Sequence, residues 1–350
     1  MSRSSVVRPT PGGGVDGPGF GLDGVGVDVD FDRARRDAFR RSVLAWYGRE
    51  GRRLPFRGTT DPYLVLVSET ILQQTQVSRG GPAWQVFTAR FPTVEALAAS
   101  SPADVVRAWQ GLGYDRRAIN LRRAAKVVVD ELGGRFPRDV AGLERLPGVG
   151  PYTARAVASI AYGLPVGAVD TNVRRVLGRA LAGDAASLSA PELQAVADAL
   201  AHTEQPGDWT AALMDLGSTI CRPRGPRCDV CPVAAFCRYA GVRAPTGDPT
   251  TSRATAPDPD PARPARAVRE RPVPFERSNR WLRGRILDRL RAVEGDSWEI
   301  LGEPIGDHDR PAVRTALLAL AADGLVELAG DDVAASAGAG TPVRARLPPA

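Results

Sequence analysis

Leu146-Pro147-Gly148-Val149-Gly150, followed by Pro151-Tyr152-Thr153-Ala154, joins two stretches of helical periodicity, residues 135–146 before it and 153–161 after it. Its glycines free the backbone to reverse direction. A turn without side chains at the mouth of a helix exposes several N–H groups, and with the helix dipole these bind a phosphate whatever base it carries. Gly148 and Gly150 are therefore candidate contacts to a nucleic-acid backbone. A Gly-x-Gly turn also serves as an ordinary tight connection between helices, so the surroundings must decide.

Those surroundings are helical. From Phe39 to about residue 240, amphipathic stretches alternate with short Gly, Pro and Ser punctuation, and no β-branched run of period two stands out. This predicts a mainly α fold. Residues 62–76 carry Leu64, Val67, Ile71 and Leu72 on one stripe with Thr75 beside it, and Ser68 and Glu69 interrupt an otherwise apolar helix. Residues 1–30 are a glycine- and proline-rich tail for which disorder is expected, and residues 241–274 read as a Pro-rich linker. Beyond it, Trp281, Ile286, Leu287 and Leu290 stripe one helix and Val313, Ala316, Leu317 and Leu320 another. Residues 324–328 then look like a strand entering a hairpin. Residues 275–350 are thus expected to form a small winged-helix-like module, an architecture that binds nucleic acid in some proteins and other protein surfaces in others.

All four cysteines lie within 17 residues, as Cys221-x6-Cys228-x2-Cys231-x5-Cys237. Thiols this close cannot all meet disulfide geometry, whereas four soft ligands in one loop suit a metal centre. A structural zinc site usually shows two short knuckles or adds histidine; here there is one knuckle, and His202 and His308 lie elsewhere. The spacing favours a [4Fe–4S] cluster.

At 350 residues and 43% hydrophobic content the chain can build two or three domains with real cores. No run of 18 apolar residues occurs and residues 1–30 lack a signal-peptide core, so no membrane association is expected and residence is expected in the cytoplasm, with the nucleoid if the source is prokaryotic. The net charge of +6 suits a nucleic-acid partner. Of the 46 basic residues one is a lysine, Lys126.

Taken together, the 146–150 turn, Val169-Asp170-Thr171-Asn172-Val173 one helix later and the cysteine loop resemble the helix-hairpin-helix DNA glycosylases of the endonuclease III superfamily. Leu54-Pro55-Phe56-Arg57, residues 68–77 (SETILQQTQV), Gly111-Leu112-Gly113-Tyr114 and Leu213-Met214-Asp215-Leu216-Gly217 resemble the MutY-type adenine glycosylases in particular. The likeness covers roughly residues 36–240, within an expected glycosylase domain at 31–240. It implies a structural [4Fe–4S] cluster on the four cysteines, shaping a loop whose Arg222, Arg224 and Arg227 face DNA backbone.

The resemblance also implies roles. Breaking an N-glycosidic bond leaves a cationic sugar and an anionic base, so one carboxyl should protonate the base and another offset the sugar charge. Glu69, in an apolar helix, suits the proton donor, and Asp170 the ionised partner; without the resemblance they read as a solvated helix charge and an N-cap. Asn172 would orient Asp170 or water. Tyr152 stands where strand-cutting relatives carry a Schiff-base lysine, so a monofunctional enzyme is expected. Gln74, Leu112 and Tyr114 would wedge beside the opposite base while the target is flipped out, and Arg57 would meet the flipped adenine or a phosphate.

Two departures bear on substrate. Ala211 stands in a segment where such enzymes commonly carry Glu or Gln, and the usual Nudix-like C-terminal domain has no visible counterpart. Removal of adenine opposite guanine or 8-oxoguanine in double-stranded DNA, by a monomer, is the leading expectation. A thymine glycosylase for T·G mismatches and a non-catalytic iron–sulfur regulator are the alternatives.

Overall fold

The computed structural model describes residues 33–183, 188–243, 274–330 and 342–349. The tail expected at 1–30 and all but the ends of the linker expected at 241–274 lie outside them. The mainly helical reading holds. Helix α1 (Arg33–Glu50) is followed by α2 (Pro62–Leu72), α3 (Val77–Arg90), α4 (Val94–Ala99), α5 (Pro102–Ala108), α6 (Arg116–Lys126), α7 (Val140–Glu144) and α8 (Pro151–Tyr162). Then come α9 (Thr171–Leu177), α10 (Ala190–Leu200), α11 (Pro206–Thr219) and α12 (Arg238–Arg243). Many starts are written in the sequence. Asp61, Thr93, Ser101, Asp139, Asp170 and Ser189 each cap a helix by accepting a hydrogen bond from its first turn, worth about 1 kcal/mol apiece.

The helices form two lobes. One core gathers Val67, Ile71, Phe87, Leu97, Trp109, Ala124 and Val157 around α2. The other gathers Phe39, Val43, Val173, Leu177, Leu193, Trp209 and Leu216, so α1 returns to pack with α9, α10 and α11. α2 is more deeply set than its stripe suggests, because Val65 to Ile71 are all buried, Ser68 and Glu69 among them. It also stops at Leu72, four residues short of the expected Gln76. Arg117 explains the stop: its Nη1 donates to the carbonyls of Thr70 (2.9 Å), Ile71 (3.2 Å) and Gln73, satisfying acceptors at the helix end. The chain then turns through Gln74 at φ 56°.

The helix expected over residues 135–146 shrinks to α7, since Asp139 spends its carboxylate capping Gly142 N–H at 2.7 Å and Pro137 precedes it. The turn between α7 and α8 is the quoted Gly-Val-Gly string. Gly148 has φ 78°, and a Cβ there would stand 2.7 Å from Asn120 Cβ, so only glycine fits. Gly150 caps α8 in extended backbone with open space around it.

The C-terminal module holds α13 (Asn279–Ala292), β1 (Glu299–Leu301), α14 (Arg310–Ala322), β2 (Glu327–Leu328) and β3 (Val343–Arg346). Its strands form one antiparallel sheet in the order β1-β3-β2, with Ile300 opposite Arg344 and Leu328 opposite Ala345. The strand expected at 324–328 contracts to two residues. In the α13 stripe Leu282 is buried where Trp281 was expected; Trp281 sits at the edge and stacks on His308 with centroids 5.8 Å apart. The module shares a core with the first lobe: Ala103, Val106 and Ile119 of α5 and α6 are buried together with Leu282, Ile286 and Leu290. Arg291 pairs with Asp115, both nearly buried, and Ala103 N–H donates to Pro348 O at 3.0 Å.

Candidate active site

A cleft of about 670 Å³ opens between the lobes. Its walls bring together Arg57, Glu69, Gln74, Tyr152, Asp170 and Asn172, residues spread over more than a hundred positions of sequence. Glu69 comes from the middle of α2, Tyr152 from the first turn of α8, and Asp170 and Asn172 from the start of α9.

Glu69 is 8% exposed, and its Oε2 accepts a hydrogen bond from Tyr152 Oη at 2.8 Å. Burial raises the Glu69 carboxyl above the usual range and the charge of Asp170 adds to this, against the opposing effects of the Tyr152 hydrogen bond and the Arg57 guanidinium. Burial, with Glu69 and Asp170 nearby, also holds the Tyr152 phenol well above its ordinary range, so it stays a neutral donor. A group raised in the folded state favours folding below its unfolded value, and that contribution is lost as pH rises through the folded value. Glu69→Gln is therefore expected to melt higher than the native chain at pH 8, with the gap narrowing towards pH 5. Thermal scans at the two pH values check this; a variant that melts lower at pH 8 would contradict it.

Asp170 has two jobs. Its Oδ1 accepts from Val173 N–H at 2.7 Å, the N-cap bond, and its Oδ2 accepts from Asn172 Nδ2 at 2.8 Å. Cap and oriented carboxylate are one arrangement. Asn172 Oδ1 in turn accepts from Arg175 Nη2 at 2.8 Å. Arg175 is 3% exposed and also donates to Gly217 O at 2.7 Å and Cys221 O at 2.6 Å, which ties the start of α9 to the end of α11 and the first cysteine. A Cβ on Gly217 would lie 2.6 Å from Asn172 Cβ, so glycine is what lets α11 approach. Sequence reasoning quoted Gly217 without a role and missed Arg175 altogether. Its sole signal was an arginine on the apolar face of α9.

Asp215 is a second such residue. Fully buried, it accepts from Arg52 N–H (2.9 Å), Nε (2.9 Å) and Nη2 (2.6 Å) and from Arg57 Nη2 (3.2 Å). This anchors one arm of Arg57 and leaves its Nε buried without a partner among the described residues. Behind Glu69 a recess of about 350 Å³ is lined by Tyr47, Arg57, Ser68 and Ala211.

The expected wedge residues divide. Gln74 lines the cleft and Tyr114 the adjoining cavity that meets it at Gln73 and Gln74; both are exposed and in left-handed backbone (φ 56° and 50°). Leu112 does not join them; it is 5% exposed and packs in the first-lobe core. Its apolar side chain is better satisfied beneath the loop than in water. Arg117 knits the loops of Gln74 and Tyr114 together, donating to Gly113 O at 2.9 Å as well as to the end of α2.

The four cysteines line one pocket beside α9 and α11. Burial pushes the Cys231 thiol up to about 12, with smaller contributions in the same direction from Cys221, Cys237 and Cys228. Among the described residues no three His, Cys, Asp or Glu side chains converge on a single-ion site. Arg179 Nη1 lies 3.6 Å from Cys221 Sγ as a donor, and Arg222, Arg224 and Arg227 are exposed on the loop. Lys126 is on the outer surface, paired with Asp130 at 3.1 Å.

Two helical lobes, a Gly-x-Gly hairpin beside their cleft and carboxylates from both lobes facing into it define a base-excision glycosylase of the helix-hairpin-helix class. The chain belongs to the HhH-GPD superfamily of base excision DNA repair proteins, whose model matches residues 67–199. It is 40% identical over 300 residues to the adenine DNA glycosylase of Mycolicibacterium smegmatis, covering 85% of this chain and 96% of that one. The human adenine DNA glycosylase is 43% identical over 219 residues, 59% of this chain and 40% of the human protein. Among solved structures, a thermostable thymine-DNA glycosylase superposes with TM-score 0.57 at 30% identity, over 61% of this chain and all of that one. An endonuclease III–DNA covalent intermediate gives 0.52 at 22% identity, over 61% and 98% of the two chains, a likeness of fold. No helix among the described residues is long and apolar enough to cross a membrane.

Proposed function

We propose that this chain is an adenine DNA glycosylase of base excision repair, acting on adenine opposite guanine or 8-oxoguanine. The observation that carries the reading is the buried, hydrogen-bonded Glu69 with its raised pKa, facing a capped Asp170 across one cleft. A purine leaving group has ring nitrogens to protonate, and a carboxyl whose burial makes it hold its proton to higher pH than usual can supply that proton. Asp170, held by Val173 N–H and Asn172, offsets the positive charge that grows on the sugar. Thymine has no basic ring nitrogen, only weakly basic carbonyl oxygens, so the thymine reading gives such an acid a poorer target on the base.

The flipped adenine enters the recess between Arg57, Glu69 and Ala211. Arg57, one arm of which is held by Asp215, lines this recess and is the donor nearest to an acceptor on the base. Ala211 offers no hydrogen bond, so recognition of the adenine edge falls to Glu69 and Arg57. Gly148 and Gly150 expose N–H groups at the start of α8 to a phosphate. Gln74 and Tyr114 fill the gap left in the stack.

The cysteine pocket fits a [4Fe–4S] cluster. Four free thiols line one pocket, the number of soft sulfur ligands such a cluster takes. Cys221, Cys228, Cys231 and Cys237 would hold it. Its contribution is to fold the arginine-bearing loop; proton transfer and charge stabilisation belong to Glu69 and Asp170. The enzyme acts as a monomer on duplex DNA.

Duplexes carrying A·8-oxoguanine, A·G, A·C and T·G test the reading. Adenine loss from the first two is expected, with strand breaks only after alkali, because the single amine side chain, Lys126, is outside the cleft. Thymine release without adenine release would overturn the substrate, and alkali-independent nicking with a borohydride-trapped adduct would overturn the monofunctional mechanism.

A further inference from the structure

The module at 274–349 has the elements of a winged helix, with most of its helical charge on α13. The exposed positions of α14 include Pro311, Thr315 and Leu318, and its exposed Arg310 is paired with Glu303 at 2.9 Å. α13 carries five arginines, Arg280, Arg283, Arg285, Arg289 and Arg291, against Arg310 and Arg314 on α14, and α13 packs against α5 and α6 of the first lobe. There Arg291 pairs with Asp115 and Arg283 with Asp323, while Arg285 pairs with Asp288. Arg280 has no carboxylate partner among the described residues. Its guanidinium lies 4.1 Å above the Tyr114 ring centroid, and its Nη1 donates to Tyr114 Oη at 2.9 Å. Arg117 approaches the same ring at 5.6 Å.

Tyr114 is a non-glycine residue at φ 50°, a backbone that costs energy unless its surroundings impose it. Yet the ring is 42% exposed, so apolar packing from the lobe does not hold it. The two arginines do, and one of them comes from the C-terminal module. A cavity of about 810 Å³ runs along this junction, from Gln74 past Tyr114 to Arg280 and Arg283. The module is seated by a shared apolar core and a nearly buried ion pair, which makes Arg280 a fixed strut.

We propose that Arg280 is a positioning residue for base extrusion: it holds Tyr114 in its wedge conformation beside the cleft, and through this contact the C-terminal module controls how readily the target adenine leaves the duplex. The inference rests on the reading of Tyr114 as the wedge. Cation–π attraction plus one hydrogen bond corresponds to a roughly 5- to 10-fold effect.

The test uses the full chain and a duplex with 2-aminopurine 3′ to an adenine opposite 8-oxoguanine, read by fluorescence for extrusion and by single-turnover excision below saturation. Arg280→Ala is expected to lower both by roughly 5- to 10-fold, and Arg280→Lys to recover about half, since lysine keeps the cation and a donor. The double variant with Tyr114→Ala should be no slower than Tyr114→Ala alone, because Arg280 acts through the ring. Additive losses, with a salt dependence of binding weakened by about one ion, would overturn the proposal and make Arg280 a phosphate contact. Normal extrusion in Arg280→Ala beside impaired Tyr114→Ala would overturn it while sparing the wedge. Normal extrusion in Tyr114→Ala would remove the wedge reading itself and the proposal with it.

Discussion

Glu69→Gln is expected to slow adenine excision by roughly 10²- to 10⁴-fold while leaving affinity for the mismatched duplex within a few-fold of native. Glutamine fills the same volume on α2 and still accepts the Tyr152 hydrogen bond, but it has no proton to give. The pH profile distinguishes this from a disturbed pocket. Because burial raises the Glu69 carboxyl, the active protonated form persists above the usual carboxylate range, and the native single-turnover rate should fall on the alkaline side as Glu69 ionises. The residual rate of the variant should lack that limb. A variant that retained both the rate and the limb would mean that the proton comes from elsewhere, and Glu69 would revert to a buried structural carboxyl.

The second large effect is expected at Arg175, which does not itself line the cleft. Its guanidinium satisfies Asn172 Oδ1, Gly217 O and Cys221 O at once. Arg175→Ala strands these acceptors in a buried site and should cost roughly 3 kcal/mol of stability by urea unfolding. It also releases Asn172, whose Nδ2 orients Asp170. A carboxylate displaced by about an ångström from the sugar can lower the rate roughly 100-fold. Excision measured on the folded fraction, with iron content determined alongside, separates the two losses. Native excision in a folded, destabilised variant would show that Asp170 is positioned by its helix cap alone.

Much of the site was legible one residue at a time. Glu69, Tyr152, Asp170 and Asn172 fall within short motifs, and the cysteine spacing carries its own chemistry. Asp170 shows why the bland and the catalytic readings need not compete: the N-cap bond to Val173 is the device that fixes the carboxylate. Other features were illegible because they depend on partners distant in sequence. Residues 73–76 lose their helix to Arg117, more than forty positions away. Leu112 sits in a loop motif that reads as exposed, yet packing draws it under the loop. Asp215 looks like one more helix charge until Arg52 and Arg57 arrive from the first-lobe loop.

The sequence by itself determined the helical class, the hairpin turn and the cysteine loop, because capping, left-handed glycine and ligand spacing are local properties read within a few residues, whereas the pairing of Glu69 with Asp170 was implied by the family resemblance. Only the tertiary structure decided that the C-terminal module reaches the cavity adjoining the cleft. That outcome turns on which apolar face covers Ala103, Val106 and Ile119 and on the pairing of Arg291 with Asp115 across 176 residues. Burial free energy depends on area and not on sequence separation, so no local pattern records where such a face will be covered.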